Sequence, residues 1–89
     1  MYKEEVVKKT VSVKLFASLR QALNSDHITI DFDNHITSFQ LKKMVFDNFP
    51  ELKKLGVPFF VTVNCEFAKD STLIKSSDEV SLIPPVSGG

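Results

Sequence analysis

Few residues in this 89-residue chain have types and spacing suited to chemistry, and the strongest group is its last six: Pro84, Pro85, Val86, Ser87, Gly88 and Gly89. Two of the three glycines stand there. Glycine lacks a Cβ, so a Gly-Gly end can thread a narrow channel and take backbone angles closed to other residues. Such an end suits a carboxylate delivered into another protein's active site. A carboxylate is a poor electrophile, so a partner has to activate it, most simply by adenylation. Gly-Gly alone is a weak signal and fits an inert tail equally well. Gly-Gly directly after a strand and a Pro-Pro-Val step is a stronger one.

Other candidates are weaker. His27 and His35 lack a matching Cys or carboxylate pattern and read as exposed polar residues near turns rather than ligands or bases. Cys65 is the only cysteine, and no neighbour in sequence would activate its thiol, so it reads as a turn or packing residue. Asp31 and Asp33 read as a solvated strand edge, and Asp78-Glu79 and Glu4-Glu5 as solvated charges. No glycine-rich phosphate loop is present.

Positioning such a tail requires a small folded body. Val11, Val13 and Leu15 alternate with Ser12 and Lys14, which predicts a strand over 10–16. Ala17 to Leu23 predicts a short helix, with Leu19 and Leu23 one turn apart. His27 to Phe32 predicts a second strand with Ile28, Ile30 and Phe32 on one face. Thr37 and Gln40 form a capping-box pattern, and Ile36 with Leu41 suits a hydrophobic staple. The helix they open runs to about Asn48, with Leu41, Met44, Val45 and Phe49 as its apolar stripe and Gln40, Lys43 and Asp47 opposite. One further turn fits between Pro50 and Gly56. Strands follow at Pro58 to Val63, around Phe67 after an Asn64-Cys65 turn, and at Val80 to Ile83 after a Ser76-Ser77-Asp78 turn. Two prolines then end the ladder. The sum is a two-layer α+β domain: a mixed sheet of about five strands covered by one main helix plus a short one. We divide the chain into an N-terminal extension (1–9), the domain (10–83) and the tail (84–89).

Composition excludes several functions. The chain suffices for one modest core and leaves little for a deep catalytic cleft. Eleven basic residues balance eleven acidic ones, so there is no excess of positive charge to neutralise phosphates, and nucleic acid is not expected as a partner. The same balance favours association with protein. The charged start Met1-Tyr2-Lys3-Glu4-Glu5 is unlike a signal peptide, and the apolar run from Val57 to Val63 is too short for a bilayer, so no membrane role and a cytoplasmic, reducing setting are expected.

Three stretches then carry a resemblance over roughly residues 11–89. They are Val13-Lys14-Leu15-Phe16-Ala17-Ser18-Leu19-Arg20, Val63-Asn64-Cys65-Glu66-Phe67, and Asp78 through Gly89, the last being the most specific. The sequence resembles the small subunits of molybdopterin synthase, which are ubiquitin-like sulfur carriers. It departs from them at Cys65, where a polar residue is usual, and at Ser76-Ser77, which replaces a glycine-containing turn.

The resemblance implies a β-grasp fold. It implies that an E1-like adenylating enzyme uses ATP to activate the carboxylate of Gly89, that a sulfur donor converts it to a thiocarboxylate, and that the large synthase subunit takes the sulfur for the dithiolene of the molybdenum cofactor. Gly89 would carry the sulfur, Gly88 would give clearance, and Pro84, Pro85, Val86 and Ser87 would act as spacer. Two charged carriers would serve each product in a heterotetramer, with the active site on the large subunit and no cofactor or metal bound by this chain. Strand parity places Phe16, Phe60 and Ile83 away from the helix-covered face, joined by Phe67, with Arg20 at the rim: an expected docking surface. Carriers for thiamine synthesis or tRNA thiolation, a ubiquitin-like protein modifier and a plain binding module stand as alternatives.

Overall fold

Strand β1 (Lys8–Leu15) is flanked by β2 (His27–Asp33), antiparallel, and by β7 (Val80–Ile83), parallel, in the computed structural model, which describes residues 5–85. The five-stranded sheet runs β2-β1-β7-β4-β5, with β4 (Phe60–Val63) and β5 (Glu66–Phe67) completing it. Helices α1 (Ala17–Leu23), α2 (Ser38–Asn48) and α3 (Pro50–Leu55) cover one face. A separate two-stranded ladder pairs β3 (Ile36–Thr37) with β6 (Leu73–Ile74). This mixed sheet under a principal helix is the β-grasp arrangement, as expected.

Period-two alternation explains the sheet. In β1 the burial pattern puts Val11, Val13 and Leu15 inside and Ser12 and Lys14 outside; β2 buries Ile28, Ile30 and Phe32 and exposes the residues between them. From the helices, Leu19, Leu41, Val45 and Leu52 meet them with no more than a trace of exposed surface. Each such side chain contributes about 1.5–3 kcal/mol when removed from water, so a single continuous core sets the layer order.

The helix ends are formed by local chemistry. The Gln40 N–H donates to the Thr37 hydroxyl (3.2 Å), and the Thr37 N–H donates to Gln40 Oε1 (2.9 Å), the expected capping box. Phe49 interrupts the helix, and Pro50 opens α3 at a position where its missing N–H costs nothing. Gly56 closes α3 at φ 68°, in the left-handed region. Phe46, outside the predicted stripe, stacks on Phe59 with centroids 5.3 Å apart and widens the buried face of α2.

The strands differ from the sequence reading in several places: β1 ends at Leu15 rather than Phe16 and β4 begins at Phe60 rather than Pro58, where Pro58 has no N–H to give to a ladder. β1 begins at Lys8, two residues before the alternation starts, because Lys8 and Lys9 continue the ladder opposite Asp33 and Phe32 although their side chains carry no apolar signal. β3 and β6 were not expected; two-residue strands are too short to show a period.

The β4–β5 hairpin turns through Asn64 (φ 52°) and Cys65 (φ 69°), both left-handed, as a tight two-residue hairpin requires. Asparagine tolerates this region and cysteine does not. Replacing Cys65→Gly should therefore raise unfolding free energy by about 0.5–1 kcal/mol, seen as a higher urea midpoint with unchanged slope. A lower midpoint would show that the thiol contributes packing that outweighs the strain.

Candidate functional site

The strand that leads to the tail lies in the middle of the sheet. β7 pairs with β1 on one side (Leu15 opposite Leu82) and with β4 on the other (Phe60 opposite Ile83, Val61 opposite Leu82). Leu82 is fully buried, Ile83 is half-buried, and Pro84 is buried, whereas Pro85 is exposed. The body of the protein thus extends one residue into the predicted spacer, and the chain leaves it at Pro85. Val86 and Ser87 of the expected spacer, and Gly88 and Gly89, to which the chemistry is assigned, lie outside the described residues.

Beside this exit, the face of the sheet opposite the helices carries the predicted apolar cluster. Phe60 is 53% exposed and Phe67 73% exposed, and their rings meet edge to face at 5.6 Å. Thr62, cross-strand partner of Phe67, is buried on this same face. Phe16 is exposed just beyond the end of β1, with the Lys14 ammonium 5.1 Å from its ring centroid. Arg20 is exposed on α1. The cluster therefore combines strands β4, β5 and β7 with the β1–α1 corner, where Ala17 takes a left-handed φ of 51°. The other half of the face, on β1 and β2, is polar: the Thr10 hydroxyl donates to Asp31 Oδ1 at 2.6 Å. On this face the exposed aromatic side chains gather on one half; elsewhere Phe39 of α2 is also exposed, with the Lys43 ammonium 5.4 Å from its ring centroid.

A polar network that the sequence did not reveal ties the hairpin to the start of β7. Asn64 Nδ2 donates to Asp78 Oδ1 (3.1 Å), and the Glu79 N–H donates to Asn64 Oδ1 (3.0 Å). The Asn64 N–H donates to the Glu79 carbonyl (2.7 Å), and the Lys75 N–H to Asp78 Oδ2 (2.8 Å). Asp78 had read as a solvated charge; it is an acceptor for two segments. Asn64 and Asp78 are 14 positions apart, so only the turn propensity of each was visible. The network fixes the hairpin bearing Phe67 relative to the strand bearing Ile83.

The remaining candidates are not assembled. His27 Nδ1 lies 2.8 Å from Asp26 Oδ1 in an exposed pair, Cys65 is exposed, and no group of three or more metal-ligating side chains occurs among the described residues. That hydrogen bond from His27 lowers the carboxyl pKa of Asp26. No helix among the described residues is long and apolar enough to cross a membrane.

Comparison with known proteins places this arrangement. Residues 13–89 match the ThiS family. The chain belongs to the ThiS family. It is 34% identical over 80 residues to the molybdopterin synthase sulfur carrier subunit of Dictyostelium discoideum, covering 86% of this chain and 93% of that one. Among solved structures, this ThiS-family chain matches SAMP1 of Haloferax volcanii with a TM-score of 0.77 and 27% identity, covering 90% of this chain and 99% of that one. It also matches a chain in the complex of subunits 1 and 2 of molybdopterin-converting factor from Helicobacter pylori (TM-score 0.61, 26% identity, 90% and 99% coverage).

The Asn64–Asp78 network makes a prediction. The backbone hydrogen bond from Lys75, then the one from the Asn64 amide, hold the Asp78 carboxyl pKa below its ordinary value. Its contribution to stability is therefore complete above the unfolded aspartate pKa of about 3.9 and is lost as pH falls through the lower, folded value. Asp78→Ala should cost about 1–2 kcal/mol near neutral pH. The gap from the parent should narrow below pH ~4 in urea titrations. A gap independent of pH would assign the loss to packing rather than to the carboxylate.

Proposed function

We propose that this protein is the sulfur-carrying subunit of a molybdopterin synthase and that the carboxylate of Gly89 is its working group. The observation that carries this reading is that one central strand, β7, leads from the exposed Phe60–Phe67–Ile83 cluster to the Gly-Gly tail, so a partner gripping the cluster receives the tail. The family and the Dictyostelium discoideum relative support the choice of chemistry.

In the proposed cycle, an E1-like enzyme joins the Gly89 carboxylate to the α-phosphate of ATP and releases pyrophosphate. A sulfur donor displaces AMP and leaves a thiocarboxylate, whose sulfur is a far better nucleophile than the oxygen it replaces. The charged carrier docks on a large subunit through Phe16, Phe60, Phe67 and Ile83, with Arg20 at the rim. Its tail enters that subunit's active site, and sulfur passes to the pterin precursor. Positive charge and acid–base groups come from the large subunit. Two charged carriers are spent per product. The chain binds no cofactor of its own, and the reaction belongs in the cytoplasm.

A second reading has one specific support, the likeness to SAMP1, a small archaeal modifier protein. There the activated Gly89 would form an isopeptide bond with a lysine instead of taking sulfur. Incubation with ATP, an adenylating enzyme and a sulfur source, followed by intact-mass measurement, separates the two. The carrier reading expects a mass gain equal to replacing one oxygen by sulfur, confined to the C-terminal peptide. No gain, with partners active on another carrier, would sink it, and a ladder of lysine conjugates in extract would support the modifier.

The docking surface is tested separately. Phe60→Ser should weaken binding to the large subunit by about tenfold or more, as loss of a central aromatic anchor does. Substitution of Thr29, on the polar half of the face, should leave affinity within about twofold. Titration calorimetry reads both, and equal effects would remove the assignment of the face.

A further inference from the structure

The sheet's two edges differ. β5, at one end, is two residues long, whereas β2, at the other, is seven residues long, without proline, lysine or a break in register. Natural proteins blunt such edges because their unpaired N–H and C=O groups recruit another strand. The outward-facing groups can be assigned. The Leu15 N–H donates to the Asp26 carbonyl (2.9 Å), and the Asn34 N–H to the Val7 carbonyl (2.8 Å). Bonded and non-bonded pairs alternate along an antiparallel ladder, so Ile28, Ile30 and Phe32 direct their backbone groups at β1. His27, Thr29, Asp31 and Asp33 direct theirs away from the sheet. The ends of that row are satisfied within the chain, the His27 carbonyl by the Ser25 hydroxyl (2.7 Å) and the Asp33 carbonyl by the His35 N–H (2.6 Å). Among the described residues, none pairs with the outward backbone groups of Thr29 and Asp31 in between.

We propose that β2 is a self-association edge and pairs antiparallel with β2 of a second copy, Thr29 lying on the twofold axis. Charge complementarity selects the second copy. In this register Thr29 faces Thr29 of the second copy, and His27 faces its Asp31, twice by symmetry, so no carboxylate faces another. Two separate clefts along β2 are also charged in opposite senses. Lys8, Lys9 and Lys43 line one with Asp31 and Asp33, and Glu51 of α3 lines the other with His27 and Thr29. Antiparallel pairing brings the lysine cleft of one copy toward the glutamate cleft of the other. A zero net charge leaves no long-range repulsion to oppose the approach. The joined sheet has ten strands. Residues opposite each other point to the same side, so both open faces stay uncovered and both β7 strands keep their places.

Sedimentation equilibrium on the full chain tests this. The mass should rise from one chain toward two between about 10 µM and about 1 mM, the range of a small interface. Thr29→Pro removes an N–H directed away from β1, a position where an edge strand accepts proline. It should weaken association at least tenfold with unchanged far-UV circular dichroism. Asp31→Lys should weaken it also, and adding His27→Glu should restore it by placing opposite charges across the axis; this pair decides the matter if Thr29→Pro does not fold. A single-chain mass throughout would overturn the proposal. So would association that survives Asp31→Lys, or that is abolished by Phe60→Ser, which would assign it to the open face.

Discussion

The position of β7 is the constraint on which the rest depends. A strand paired on both sides is held by two ladders, and here one is parallel with β1 and the other antiparallel with β4. Shifting it by one residue would carry Val80 and Leu82, both buried, to the open face and bring Ser81 and Ile83 into the core. Register is therefore fixed by burial, and Ile83 can only face outward. The chain then meets two residues that cannot donate to a ladder, and the first, Pro84, is still buried. The root of the tail is as well placed as the core itself.

The open face shows a division of labour that the core cannot explain. Its β1–β2 half is paired and polar, as a solvated antiparallel sheet face should be. Its β4–β5–β7 half exposes two phenylalanines where polar residues would cost nothing in folding. The edge-to-face contact of Phe60 and Phe67 recovers part of the unfavourable hydration, about 0.5–1.5 kcal/mol, and fixes both rings. Lys14 does the same for Phe16. Rings ordered before a partner arrives lose less freedom on binding.

Much of this was legible because it is periodic. The alternation Val11, Val13, Leu15 gave β1 its face, and parity alone then set Phe16, Phe60 and Ile83 on the other side. Thr37 with Gln40, and Pro50 with Gly56, marked helix ends by chemistry confined to one turn. What escaped was non-local or too short. Lys8 and Lys9 belong to β1 through backbone pairing with β2, which side-chain type does not encode. β3 and β6 have two residues each and exist because the chain brings Ile36 beside Ile74. Asn64 and Asp78 both looked like turn residues, and their bond depends on two turns meeting. Burial of Pro84 depends on what surrounds the end of β7. For Gly88 and Gly89 the case rests on residue type and family membership.

The described residues hold no assembled reactive group, so the proposed chemistry depends on how the tail is aimed. Cluster and tail are consecutive on one strand, and this sets a length. The six residues Pro84 to Gly89 span at most about 20 Å when extended, and burial of Pro84 shortens the free part. A partner that grips Phe60 and Ile83 must hold its reaction centre within that reach. It must also approach through a channel narrow enough to reward glycine at the last two positions. Two successive partners, one activating and one accepting sulfur, would face the same limit from the same exit. They would compete for the open face, and the carrier would have to leave the first before meeting the second.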